Sequence, residues 1–178
     1  MKHSVQSRGF AVLRPVEEAW AWIQTNAPTP QVHRVDWQDA AGLVLAHDVI
    51  APANAPEFPL AITDGYALRA IETVGAGVYN PLTLLIAGGI SPGQPFKGGL
   101  PAGSVARIAV GGVLPDGTDA VLPLEQGEEW DGHLDVTSVI APGENVRRPA
   151  AEFSRQALLL RAGRLLRMQD TALLGEAR

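Results

Sequence analysis

Between Ala51 and Gly143, glycines and prolines recur so closely that only short extended segments fit between them. Glycine and proline together fill 33 of 178 positions, above the usual share of about 12%, and this texture selects short strands and many turns over a helical bundle. The candidate strands are 66–69, 81–87, 105–110, 120–124 and 134–139, with turn signals at Leu114-Pro115-Asp116-Gly117 and Trp130-Asp131-Gly132. Five short strands with irregular loops predict a small β-barrel or sandwich, not a parallel sheet crossed by helices.

The two ends read differently. Val16, Ala19, Trp20 and Ile23 recur at helical spacing behind Pro15, which predicts a helix over 15–25 that stops at Asn26, Pro28 and Pro30. Residues 32–37 read as a strand, Asp39 as the cap of one helical turn over 39–42, and 43–50 as extended. Near the other end, 156–160 and 164–166 flank Ala162-Gly163 as a hairpin. Met168, Ala172 and Leu173 predict a closing helix over 168–177. The apolar bulk of Trp20, Trp22, Ile23 and Leu173 exceeds what a small terminal lobe needs, so self-association is expected.

No cysteine is present, which removes a disulfide framework, Cys-ligated metal and thiol catalysis. The apolar run Phe10-Ala11-Val12-Leu13 is cut by Arg14 and Pro15 before it reaches signal-peptide length, and no run approaches the roughly 20 apolar residues of a membrane span. The expectation is a cytoplasmic protein without a membrane partner. A net charge of −5 argues against nucleic acid. The charge is uneven: 7 basic and 16 acidic residues precede Asn145, and 7 arginines and 3 acids follow from there. Arg147, Arg148, Arg155, Arg161, Arg164 and Arg167 either pair with acids of the same fold or offer an anion site.

Several motifs fail on their chemistry. Gly89-Ile90-Ser91-Pro92-Gly93 fits G-x-S-x-G, but Pro92 has no N–H to give an oxyanion hole and no helix can follow. Lys97 follows Phe96, not glycine, so no phosphate loop is met. His3, His33, His47 and His133 have no metal-ligand spacing. Asp64 stands out, just before Gly65. Its carboxylate is either a turn residue bonding local N–H groups or a loop-tip group free to bind a hard cation.

Five blocks then follow in order: Asp64-Gly65-Tyr66-Ala67; Gly93-Gln94-Pro95-Phe96; Pro101-Ala102-Gly103-Ser104-Val105-Ala106-Arg107-Ile108; Leu114-Pro115-Asp116-Gly117-Thr118-Asp119-Ala120-Val121-Leu122-Pro123-Leu124-Glu125; and Gly143-Glu144-Asn145-Val146-Arg147-Arg148. In this order and spacing the chain resembles the molybdopterin molybdenumtransferase family, which includes bacterial MoeA and the gephyrin E domain, from the first helix to Gly175.

The resemblance implies an α+β, mainly β fold: an elongated α/β segment from residues 1–50 and 145–178, and an inserted β-barrel-like domain over 51–144. The family continues into a molybdopterin-binding domain with T-G-D-E-L and S-G-G segments, and neither occurs here. The chain thus resembles the first two domains alone. The implied activity is insertion of molybdate into adenylylated molybdopterin with Mg²⁺, at a site between the inserted domain of one subunit and the nucleotide-binding domain of another. On that basis the chain is expected to bind none of these ligands alone and to be inactive alone. It would supply half a site in trans, act as a ligand-binding or dimerisation module, or be a fragment of a longer transferase. A homodimer and a full-length relative are the implied partners.

Carried onto this sequence, Asp64 is the implied catalytic residue, Arg147, Arg148 and Glu125 the substrate-binding ones, and Asp64 and Glu152 the Mg²⁺ ligands. Departures fall on polar positions. Phe58-Pro59-Leu60-Ala61 replaces a polar loop, Val110 a threonine, and Ala150-Ala151-Glu152 a Gly-Glu-Asp.

Overall fold

The computed structural model describes residues 14–176. The expectation drawn from the apolar run over 10–13, and Ala177 of the expected last helix, lie outside them. The chain divides into two compact units, 1–35 and 36–178.

In the first unit, α1 (Val16–Asn26) forms where the apolar spacing puts it. Pro15 precedes the helix instead of opening it, with extended ψ of 147°, and its carbonyl takes the Glu18 N–H at 3.1 Å. Glu17 and Glu18 in the first turn complement the helix dipole. Trp20, Trp22 and Ile23 are exposed. The expected strand over 32–37 does not form. Trp37, in the second unit, instead opens a 3-10 turn, Trp37–Asp39, that Asp39 ends and does not cap.

Among the described residues the second unit holds ten strands: β1 (Val49–Ile50), β2 (Leu60–Ala61), β3 (Gly65–Leu68), β4 (Leu82–Ile90), β5 (Ser104–Ile108), β6 (Ala120–Pro123), β7 (Gly127–Trp130), β8 (His133–Val136), β9 (Val146–Arg147) and β10 (Leu158–Leu160). It closes with α2 (Met168–Glu176). Six strands form one sheet in the order β6-β3-β5-β4-β8-β7. The fold is therefore α+β and mainly β. All pairs are antiparallel except β4 with β5, whose connection over 91–103 contains no helix.

Alternation along the strands gives the sheet two apolar faces. Tyr66, Leu68, Leu84, Val105, Leu122, Leu134 and Val136 build one core cluster, and Ala67, Ile90, Ala106, Ile108 and Val121 another. β4 outruns its expected end at residue 87 because a bulge between Ile86 and Gly88 restores pairing as far as Ile90. β7, absent from the expected strands, pairs with β8 through Asp131-Gly132, whose φ values of 42° and 76° make a tight hairpin turn.

The expected hairpin of 156–160 with 164–166 is not formed. Val49 pairs with Leu160 and Val44 bridges Leu165, so both segments pair back to 43–51. Each finds a partner distant in sequence, which short-range turn signals cannot show. α2 is fixed at its start by Asp170, which accepts the Arg167 N–H at 2.9 Å and holds Arg164 through both carboxylate oxygens. The Trp37 ring lies 3.2 Å from where a Cβ on Gly175 would stand, so a small residue lets the helix pack on it.

Candidate functional site

The registers of β3 carry motif residues to one end of the sheet. Gly65 lies opposite Pro123 on β6 and Ile108 on β5, so extending both pairings by one residue sets Asp64 beside Leu124 and Ala109. Tyr66 faces Arg107, and Arg107 faces Gly89 on β4. By alternation, Asp64, Tyr66, Arg107 and Leu124 share the sheet face that carries Leu68, Val105 and Leu122. At this end of the sheet lies a depression of about 310 Å³. It is lined by Asp64, Gly65, Gly89, Ile90, Ser91, Arg107, Ile108, Ala109 and Leu124.

A polar cluster sits beside it. Glu129 stands on β7, at the far end of the strand order, yet accepts from Tyr66 Oη on β3 at 2.7 Å and from Arg107 Nε on β5 at 2.7 Å. Its second oxygen takes Arg107 Nη2. These contacts require the sheet to curl into a half-barrel whose mouth is the depression. The paired guanidinium holds Glu129 down to about 2, with the Tyr66 hydroxyl helping. Burial, then the bond to Glu129, pushes Tyr66 up to about 12. Arg107 is raised by the same carboxylate.

These shifts predict a pH profile. Glu129 and Asp170, the latter held at about 2 chiefly by Arg164, are both depressed, so they stabilise the fold above their ordinary values of 4.5 and 3.8, and that contribution is lost as pH falls toward 2. Tyr66 is raised from 10.0, so its contribution is complete below pH 10.0 and is lost as pH climbs toward about 12. Urea midpoints measured against pH should be flat between these limits. Tyr66→Phe should remove the alkaline decline due to this group, and Glu129→Gln should soften the acid one.

Among the expected site residues, Asp64 is exposed and its Oδ1 accepts the Val110 N–H at 2.8 Å. The carboxylate thus ties its loop to a backbone N–H 46 residues away, and not to the local N–H groups of a turn, while lining the mouth. The change from threonine to Val110 leaves this backbone bond intact. Glu125 lies in the turn after β6, next to Leu124 of the lining, and is exposed. Arg147 lies on β9, opposite Leu60, and its Nη1 meets Glu152 at 3.1 Å, so an expected substrate-binding residue and an expected metal ligand pair with each other. Arg148 is exposed, and its guanidinium lies against Gly143. Arg164 and Arg167 pair with Asp170. The arginine-rich end is thus partly spent on ion pairs within the fold.

Mg²⁺ needs a near-octahedral set of oxygens, with substrate or water completing one or two carboxylates. Among the described residues no three acids or histidines converge. Asp64 gives one oxygen to Val110, and Glu152 is held by Arg147. The residues present do not by themselves fit a Mg²⁺ site. Sequence reasoning assigned no role to Tyr66, Arg107 or Glu129. Only the curl of the sheet, invisible in local periodicity, brings β7 across β3 and β5.

A family profile for the MoeA N-terminal region (domain I and II) matches residues 14–177. A molybdopterin molybdenumtransferase of Haemophilus influenzae is 32% identical over 150 residues, covering 83% of this chain and 36% of the relative. Molybdopterin molybdenumtransferase 1 of Mycobacterium tuberculosis is 30% identical over 177 residues, covering 91% and 42%. The crystal structure of a molybdopterin biosynthesis MoeA protein from Pyrococcus horikoshii superposes with a TM-score of 0.83 at 30% identity, covering 93% of this chain and 42% of that one. The chain spans about two fifths or less of these relatives' lengths. With a match that runs from Arg14 to Ala177, the chain belongs to the family of the MoeA N-terminal region, domains I and II.

Proposed function

We propose that this chain serves molybdenum-cofactor biosynthesis in the cytoplasm by supplying one wall of a molybdate-insertion site whose molybdopterin pocket is carried by a full-length relative. In this reading residues 1–50 and 145–178 form the domain I-like segment and 51–144 the inserted domain. The pairing of 43–51 with 156–166 supports that division. The exposed Trp20, Trp22 and Ile23 of α1 support association with a second copy or with the relative.

The single observation that carries the proposal is the mouth itself. It gathers the Asp-Gly-Tyr-Ala aspartate with Arg107 and Ser91 on one open surface, with no second wall among the described residues. Holding reactants in line accounts for about 7–11 kcal/mol of a barrier, which one wall cannot supply. Mg²⁺, molybdate and adenylylated molybdopterin therefore act at the assembled site, where Arg148 and Glu125 flank the substrate.

Native mass spectrometry of the isolated chain with adenylylated molybdopterin, Mg²⁺ and molybdate tests this. The expected spectrum shows no stable complex that holds the adenylylated cofactor together with molybdate. Such a complex on the isolated chain would show that no partner is needed.

A further inference from the structure

The two edges of the six-stranded sheet are finished differently. β6 is covered: the Val121 N–H donates to the Glu144 carbonyl at 3.1 Å, and the Val121 carbonyl accepts from Asn145 Nδ2 at 2.9 Å. β7 ends the strand order, and its Glu128, Glu129 and Trp130 are exposed. Among the described residues its backbone bonds only β8 and, through the Gly127 N–H, the Leu124 carbonyl. Trp130 and His133 flank a two-residue turn, which makes them a bonded pair, and the Thr137 N–H donates to the Gln126 carbonyl at 3.1 Å. Bonded and open positions alternate between these two, so Glu129 turns its N–H and C=O, and Gly127 its C=O, to the free edge. Such an edge is a template for another strand.

Two rows of side chains reach this edge on the face opposite the Tyr66–Arg107–Glu129 cluster. Thr83, Asp135 and Glu128 lie in register, and so do Leu85, His133 and Trp130. In the first row Glu128 stands directly across from Asp135, a like-charge pair that costs stability unless a cation joins it. Thr83 Oγ1 donates to Asp135 at 2.6 Å, and neither acid has an ion-pair partner among the described residues. In the second row the Trp130 and His133 rings stack with centroids 5.1 Å apart, and Trp130 remains half exposed. A strand added at β7 would extend both rows, with one side chain opposite Glu128 and the next but one opposite Trp130. A guanidinium suits both places, since the carboxylates pair with it and the indole face stacks under it. The residue between them falls opposite Glu129 on the inner face, where Tyr66 and Arg107 already hold the carboxylate, so a small neutral side chain fits there.

We propose that the open edge of β7 docks an extended segment of a partner protein in which arginines alternate with small neutral residues. The segment joins the sheet as a further strand, and its arginines settle over Glu128, Asp135 and Trp130. Charge complementarity selects this occupant. A second copy set edge to edge would bring two Glu128–Asp135 rows together and be repelled.

The test is an NMR titration of the chain with a short peptide that alternates arginine with threonine. Two further arms use the same peptide with glutamate in place of arginine, and the arginine peptide with its backbone N-methylated. Saturable shifts at the Glu129 amide and the Trp130 indole N–H are expected with the parent peptide alone, together with slower hydrogen exchange of the Glu129 N–H and an affinity that falls as salt rises. Glu128→Lys should weaken binding by about fivefold or more, and Trp130→Ala by about threefold. Both side chains are exposed, so the amide signals of β3 and β5 should remain those of the folded chain in each variant. The proposal is overturned if the parent peptide gives no saturable shifts at β7, or if the N-methylated or glutamate peptide binds as well as the parent. It is also overturned if Glu128→Lys leaves the affinity unmoved, or if concentrating the chain alone produces the same shifts, which would assign the edge to a second copy.

Discussion

Gly65→Ala is expected to disrupt the half-barrel outright. β3 is the only strand flanked by both β5 and β6, and all four of its residues are buried. A Cβ on Gly65 would stand 2.0 Å from the Leu122 carbonyl oxygen and 2.9 Å from its carbon. Both are backbone atoms of the paired strand and cannot swing aside as a side chain would. Relief requires β6 to separate from β3, which exposes Leu122 and Val121, both fully buried. Overpacking of ordinary cores costs about 1–3 kcal/mol, and this contact lies at the severe end because the obstacle is a strand and not a rotamer. Against a total stability of about 5–15 kcal/mol, the variant should show a large fall in urea midpoint or fail to fold. Gly89→Ala is the control. Its nearest obstacle is the Arg107 carbonyl oxygen at 4.0 Å, so its midpoint should move little. Equal midpoints for the two variants would mean that β3 does not pack as described.

The same contact explains why glycine follows the aspartate in Asp64-Gly65-Tyr66-Ala67. Asp64 bonds a loop N–H and lines the mouth, Gly65 lets β6 approach, Tyr66 reaches Glu129, and Ala67 fills the opposite core.

What the sequence revealed and what it hid follow from the range of the interactions. α1, α2 and the Asp131-Gly132 turn were legible because their determinants lie within a few residues of one another. β4 was legible only as far as residue 87, since continuation past it depends on a bulge set by β5. β7 escaped notice because Glu128 and Glu129 break any apolar alternation. The inward turn of Glu129 is stabilised by Arg107 and Tyr66, 22 and 63 residues away. The strand expected at 32–37 does not form: Val32 and Val35 are exposed, and Trp37 packs on Gly175 of α2. Of the expected site residues, Asp64 drew notice from its place before the glycine, and the structure puts it in the lining of the depression. The Arg147–Glu152 pair was not legible, because it depends on the turns over 148–152 that bring the two side chains together.

The second large effect concerns activity. Mixed with a full-length transferase whose own Asp-Gly-Tyr-Ala aspartate has been changed to asparagine, this chain is expected to restore molybdate insertion, because its mouth offers Asp64 to a cofactor held by the partner. The effect should be large, since an acceptor positioned at the assembled site is not matched by bulk water. The same mixture with Asp64→Asn in this chain should stay inactive while assembling equally well, as Asp64 is exposed and holds only one backbone N–H.

The most direct measurement is therefore the rate of molybdate insertion by this mixed complex, with co-assembly verified by native mass spectrometry on the same sample. The account predicts activity that appears with the chain and disappears with Asp64→Asn. A co-assembled mixture that stays inactive, or activity that persists through Asp64→Asn, would contradict it.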